Sequence, residues 1–130
     1  MKISLIITTF NWPESLLLVL KSIRYQSLMP DEIIIADDGS DESTRRIISS
    51  FNKQFDLNVI HSWQEDIGFR AARSRNNAIL KSSGEYIVLI DGDSILHPHF
   101  IKDHIANAEP GYFIQGSRSL LSKKETQKVL

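Results

Sequence analysis

The sequence predicts an α/β fold, a mostly parallel sheet with helices on both faces. Three observations carry that expectation. Short β-branched runs alternate with helical stripes about every 25 residues, the rhythm of successive strand–helix units. Tyr86-Ile87-Val88-Leu89-Ile90 is a continuous apolar run, which reads as a parallel strand buried on both faces. Two such strands stop abruptly at carboxylates beside a glycine, Asp37-Asp38-Gly39 and Asp91-Gly92-Asp93. In open α/β sheets, ligands gather at the carboxyl ends of the strands.

Taken in order, Ile3 to Thr8 is a strand by its β-branched content, and it runs into the polar turn Thr9-Phe10-Asn11-Trp12. Pro13 suits the first position of a helix, and Glu14 suits its first turn. Leu16, Leu17, Leu20 and Ile23 then share one helical face, with Lys21 and Arg24 off it. Glu32 to Ala36 is the second strand. Ser40 or Asp41 can cap the next helix, whose apolar positions are Ile47, Ile48, Phe51 and Phe55. Leu57 to His61 is a weaker strand, and Trp63 to Arg70 lacks a period and reads as loop. Ala71 to Lys81 is a helix, with Gly84 expected as its left-handed cap. After the Tyr86 strand come a short helix over Phe100 to Ala108, a turn at Glu109-Pro110-Gly111, and a candidate last strand at Tyr112 to Gln115. Ser117 to Leu130 has no apolar stripe. The expected organisation is one domain over residues 1–116 and a frayed polar tail over 117–130.

Composition excludes several classes. Fifteen basic and sixteen acidic residues leave a net charge of -1, so a nucleic-acid partner is not expected. There are no cysteines, which removes disulfides, thiolate metal sites and cysteine nucleophiles. No apolar run is long enough to span a bilayer. The N-terminal run breaks at Thr8-Thr9 without a small-residue cleavage site, so a cytoplasmic location is expected. Neither Walker A, G-x-G-x-x-G nor G-x-S-x-G occurs. His97, His99 and His104 lack zinc-protease spacing and read as surface residues. Arg70, Arg73 and Arg75 are either a solvated basic face or charge compensation for a pyrophosphate. Trp63 is either a stacking platform or a packing anchor.

The strand ends present Thr8, Thr9 and Asn11; Asp37 and Asp38; and Asp91 and Asp93. A pyrimidine N3–H and the ribose hydroxyls are donors, and carboxylates accept from both. Asp37 or Asp38 can therefore read a base while Asp91 takes a sugar. Asp93 is then the candidate ligand for Mg²⁺ or Mn²⁺ bridging two phosphates. Either acidic motif alone is ordinarily a surface turn or a helix cap. Their shared position at strand ends of one sheet gives the cation-and-phosphate reading its force.

Ile6-Ile7-Thr8-Thr9-Phe10-Asn11, Ala36-Asp37-Asp38-Gly39-Ser40, Gly68 with Arg75-Asn76 and Ala78, and Leu89-Ile90-Asp91-Gly92-Asp93 together resemble the family 2 glycosyltransferases over residues 3 to 116. The run Trp63-Gln64-Glu65-Asp66-Ile67-Gly68-Phe69-Arg70 is similar to a subset containing bacterial chondroitin polymerases and galactosyltransferase-like enzymes. The resemblance implies the Rossmann-like, nucleotide-binding half of a GT-A fold. It implies a metal-dependent, inverting hexosyltransferase of polysaccharide biosynthesis. Such an enzyme takes a nucleotide-diphosphate sugar, with uridine the expected base, and a glycan or lipid-linked acceptor, so association with the inner face of a membrane is expected. Carried over by resemblance, Thr9 and Asp38 line the nucleoside pocket and Asp37 supports its turn. Arg75 lies near the base or phosphates, Asp91 near ribose and donor sugar, and Asp93 on Mn²⁺ or Mg²⁺. Thr8 stands where the family usually has proline. The general base and the acceptor-binding elements are expected beyond residue 130, so no catalytic residue is assigned. The competing reading is a non-catalytic nucleotide-sugar-binding module completed by another segment or chain. A nucleotidyltransferase would need a glycine- and lysine/arginine-rich loop after the first strand, which Thr9-Phe10-Asn11-Trp12-Pro13 does not provide.

Overall fold

The computed structural model describes all of residues 1–130. The elements run β1 (Ile3–Thr9), α1 (Pro13–Arg24), β2 (Glu32–Asp37), α2 (Glu42–Phe55), β3 (Val59–Trp63), α3 (Ala71–Lys81), β4 (Tyr86–Asp91), α4 (Phe100–Asn107) and α5 (Lys123–Val129). The four strands form one parallel sheet in the order β3-β2-β1-β4. Helices cover both faces, as the alternating pattern predicts.

The larger core lies on the face of α1, α2 and α4. Leu5 and Ile7 of β1 and Ile33 and Ile35 of β2 pack there against Leu16, Leu20, Ile23, Ile48, Phe51 and Ile101. Each fully buried side chain of this kind contributes about 1.5–3 kcal/mol. Pro13 does open α1, where its missing N–H and fixed φ cost nothing. Asp41, not Ser40, caps α2, its carboxylate accepting from Ser43 N at 3.1 Å. On the opposite face Ile6, Ile34 and Ala36 pack on Ala78 of α3.

Five expectations need correction. β4 is not buried on both faces, because it is the edge strand and α3 packs on β1, β2 and β3 instead. Val88 is buried on the α1 side, but Ile87 and Leu89 are 36% and 49% exposed on the other. Gly84 is no left-handed cap, and α3 ends at Ser82 in extended backbone. Gly84 is instead a point of close approach: its N–H donates to Ser4 Oγ at 2.8 Å, and a Cβ there would lie 2.7 Å from Ser4 N. Tyr112 to Gln115 forms no strand, since nothing pairs with it, and the tail contains the short helix α5, capped by Ser122. His104 is half-buried, not a freely exposed surface histidine. It packs edge-on against Phe100 with its Nδ1 3.1 Å from the Tyr86 hydroxyl, and burial pushes its pKa down against the opposing pull of Asp103.

The amino ends of the strands are tied by a buried carboxylate. Glu32 accepts from Ser4 Oγ and Ser83 N, both at 2.6 Å. Burial opposes its ionisation, but these hydrogen bonds outweigh burial and hold its pKa below the usual value. This end of the sheet is structural, which leaves the carboxyl ends for chemistry.

Candidate functional site

The connection after β1 leads to α1 on one face of the sheet, whereas β4 is reached through α3 on the other. Between β1 and β4 the winding therefore changes direction, and such a switch point opens a crevice at the carboxyl ends of the strands. Register places Thr9 beside Asp37 and Thr8 beside Asp91. Thr8 Oγ1 donates to Asp91 Oδ1 at 3.1 Å. Ser15 of α1 donates to Gly92 O at 2.7 Å, and Gly92 lies so close to Thr8 O that a Cβ would collide with it. The Asp91–Asp93 corner is thus drawn against β1.

The result is a cleft of about 440 Å³, within the range of small-ligand sites. Thr8, Thr9, Ala36, Ala71 and Ser74 line it, with Asp38 and Asp66 from the β2 side and Asp91, Gly92 and Asp93 from the β4 side. Phe10, Trp12 and Phe69 line it as exposed aromatics. Ser74 Oγ is buried there without a protein partner.

Adjacent aspartates at the end of β2 have divergent roles because successive strand side chains point to opposite faces. Asp37 does not line the cleft. It is fully buried beneath the turn, accepting from Ser40 N at 2.8 Å and lying 2.7 Å from His61 Nε2. Burial disfavours its ionisation, but the hydrogen bonds from His61 and Ser40 prevail and depress its pKa. An ionised carboxylate only accepts, so His61 carries its proton on Nε2. Ser40 Oγ in turn accepts from Asn11 N at 2.8 Å, which joins the β1–α1 and β2–α2 turns. Asp38 faces the cleft and clamps its wall: Oδ1 accepts from Gln64 Nε2 and Oδ2 from Arg70 N, both at 2.7 Å. Gln64 also donates to Arg70 O and accepts from Asn77 of α3, closing the loop of residues 64–70. Each Asp38 oxygen keeps a second lone pair for a ligand donor.

Thr9, Asp38, Asp91 and Asp93 come together in this one cleft; Arg75 does not join them and borders a second groove that shares Trp12, Asp91 and Asp93 with it. Arg70 is the cationic residue whose backbone meets Asp38, although its guanidinium turns to Glu65 O at 2.8 Å. Trp63 is an anchor, not part of the cleft: it ends β3 and donates from Nε1 to Ser40 O at 3.1 Å. Phe10 and Trp12, turn residues by sequence, are further members of the cleft. Their signal was an aromatic pair directly after a strand end. His61 carried no signal, because its partner lies 24 residues away. Gln64 stands in the Trp63–Arg70 run that carries the resemblance, but its partner Asp38, 26 residues away, is not legible there.

Gly39 lets the loop wall settle onto the turn. Its φ of +102° is one that L side chains rarely adopt, and a Cβ would lie 2.6 Å from Asp66 Cα. Gly39→Ala is expected to destabilise the fold by about 2 kcal/mol or more, read as a lower urea midpoint. An unchanged midpoint would show that the loop is free to move aside.

No group of three or more histidine or acidic side chains is assembled for a metal. Asp91 and Asp93 nonetheless offer hard carboxylate oxygens, a donor set that fits Mg²⁺ or Mn²⁺ when phosphates and water supply the remaining ligands.

Residues 4–129 match the family described as Glycosyl transferase family 2. The chain belongs to that family. Among family 2 relatives, the hyaluronan synthase of Pasteurella multocida is 32% identical over 80% of this chain and 11% of its own length. Chondroitin synthase of Escherichia coli is 28% identical over 98% of the chain and 20% of its own length. The chain thus spans a fifth or less of either relative. Among solved structures, S. aureus TarS 1–349 in complex with UDP-GlcNAc superposes with a TM-score of 0.71 and 28% identity, covering 82% of this chain and 30% of that one. The mannosyltransferase PcManGT of Pyrobaculum calidifontis, in complex with GDP-Man and Mn²⁺, gives 0.68 and 25%, covering 84% and 33%. These neighbours are GT-A enzymes, and the parallel sheet described above is the corresponding part of that fold. No helix of this family 2 chain is long and apolar enough to cross a membrane.

Proposed function

We propose that this chain is the donor-binding part of a metal-dependent, inverting glycosyltransferase that moves a sugar from a nucleoside-diphosphate donor, UDP-linked by preference, to a glycan or lipid-linked acceptor. The observation that carries the reading is the meeting of Asp38 and the Asp91–Asp93 corner in one cleft at the sheet's switch point. The likeness to a hyaluronan synthase, to a chondroitin synthase and to a neighbour bound to UDP-GlcNAc supports the choice of donor.

In this reading Asp38 accepts from the base N–H and Phe10 offers its face for stacking. Asp91, held by Thr8, accepts from a sugar hydroxyl, and Asp93 ligates the cation. A bound Mn²⁺ or Mg²⁺ supplies Lewis-acid stabilisation of the departing diphosphate. The acceptor hydroxyl attacks the anomeric carbon opposite the C–O bond that breaks. Its proton passes to a general base as the nucleoside diphosphate leaves.

Isothermal titration with UDP tests this: saturable binding that strengthens at least tenfold with Mn²⁺ is expected. Equal affinity with and without Mn²⁺ would refute the metal-bridged site, and no binding in either condition would refute the donor reading itself.

A further inference from the structure

The cleft has a charge problem. Asp38, Asp66, Asp91 and Asp93 line it, and no lysine or arginine does. A nucleoside diphosphate adds at least two negative charges beside Asp91 and Asp93. One divalent cation balances those two carboxylates or the diphosphate, but not both. A further cation is needed where the diphosphate lies.

Arg118 stands at that place. It comes from the segment between α4 and α5, and its Nη1 is 3.8 Å from Asp91 Oδ2. The pair is long and touches at one point, with side chains 67% and 54% exposed, so it contributes little to stability and exchanges easily. Asp91 remains held from the other side, because Thr8 donates to its Oδ1. Losing Arg118 would therefore leave the carboxylate in position. Arg118 also lines the second groove, at the point where that groove and the cleft share Asp91 and Asp93. A planar guanidinium there matches phosphate oxygens as a two-point donor.

We propose that Arg118 is a diphosphate-binding residue of the donor site, moving from Asp91 to the phosphate oxygens when a cation-bound nucleoside diphosphate enters. The inference rests on the donor reading above, and the test separates the two. UDP with Mn²⁺ and uridine alone are titrated against the natural chain, Arg118→Gln and Arg118→Lys. Arg118→Gln should bind UDP about tenfold more weakly and uridine unchanged, with Arg118→Lys between. Adding Arg118→Gln to Asp91→Asn should produce a further loss, because the guanidinium acts on phosphate and not through Asp91. If the natural chain binds UDP and Arg118→Gln binds it equally well, the assignment to Arg118 is overturned while the donor reading stands. An equal loss for uridine, or no further loss in the Asp91→Asn background, would also overturn it. A natural chain that binds no UDP would overturn the donor reading. Circular dichroism should show every variant folded, as expected of so exposed a side chain.

Discussion

Asp93→Ala is expected to abolish the Mn²⁺-dependent part of UDP binding, a loss of about tenfold or more, the size of the Mn²⁺ effect itself. The size follows from the poverty of the site. No group of three or more ligating side chains exists, so the cation has few protein oxygens to begin with. Removing the carboxylate that nothing else occupies takes away a large share of them. Asp91 is engaged by Thr8 and Arg118, whereas Asp93 is exposed at the corner between the two grooves. Exposure also predicts that the substitution leaves stability within about 0.5 kcal/mol, as for ordinary surface changes. Affinity and stability should therefore separate cleanly. Asp93→Asn keeps one neutral oxygen and should retain part of the metal effect. If Asp93→Ala binds UDP with the same Mn²⁺ dependence as the natural chain, the cation does not sit at this corner.

The parts legible in the sequence were those fixed by local chemistry. Pro13 opens α1, and α3 spans Ala71 to Lys81 as its residues predict, because capping, φ restriction and helical spacing act within a few residues. The parts that misled depend on distant neighbours. The run from Tyr86 to Ile90 looks like a central strand, but its place at the sheet edge is set by which helix crosses where, and α3 stops short of Ile87 and Leu89. Gly84 illustrates the same limit. Its need for a small residue comes from Ser4, eighty positions away, not from its own φ. In the site, the residue pattern left Asp37 and Asp38 interchangeable, and only the family resemblance set Asp38 on the pocket and Asp37 on its turn. The pleat of β2 makes the division, sending Asp37 under the turn to His61 and Asp38 outward to Gln64 and Arg70.

That division makes Asp37 the most sensitive position for stability. Asp37→Ala leaves Ser40 N and His61 Nε2 without their acceptor in a buried setting, which costs about 3 kcal/mol. For a chain of this size the melting temperature should fall by about 10 °C. Asp37→Asn keeps an oxygen for Ser40 N and forces His61 to present an acceptor to the new amide, so its loss should be smaller, about 1–2 kcal/mol.

The pH dependence fixes the cause. The folded carboxyl has a pKa below its unfolded value, so its ionisation favours the native state. That contribution is fully present above the ordinary aspartate range and is lost as pH falls through the lower folded pKa. Urea unfolding should therefore show a gap between the natural chain and Asp37→Asn at about pH 8, where the imidazole is neutral in both, that shrinks below about pH 4. Glu32 loses its own contribution in acid in both proteins, so it does not distort the difference. A gap that stays constant or widens in acid would mean that Asp37 acts through its shape alone. Because Ser40 passes the restraint on to Asn11, Asp37→Ala should also loosen the turn that carries Phe10, and UDP affinity should fall together with the melting temperature. Asp93→Ala, by contrast, lowers affinity at constant stability. The two aspartates can thus be told apart by which quantities move together.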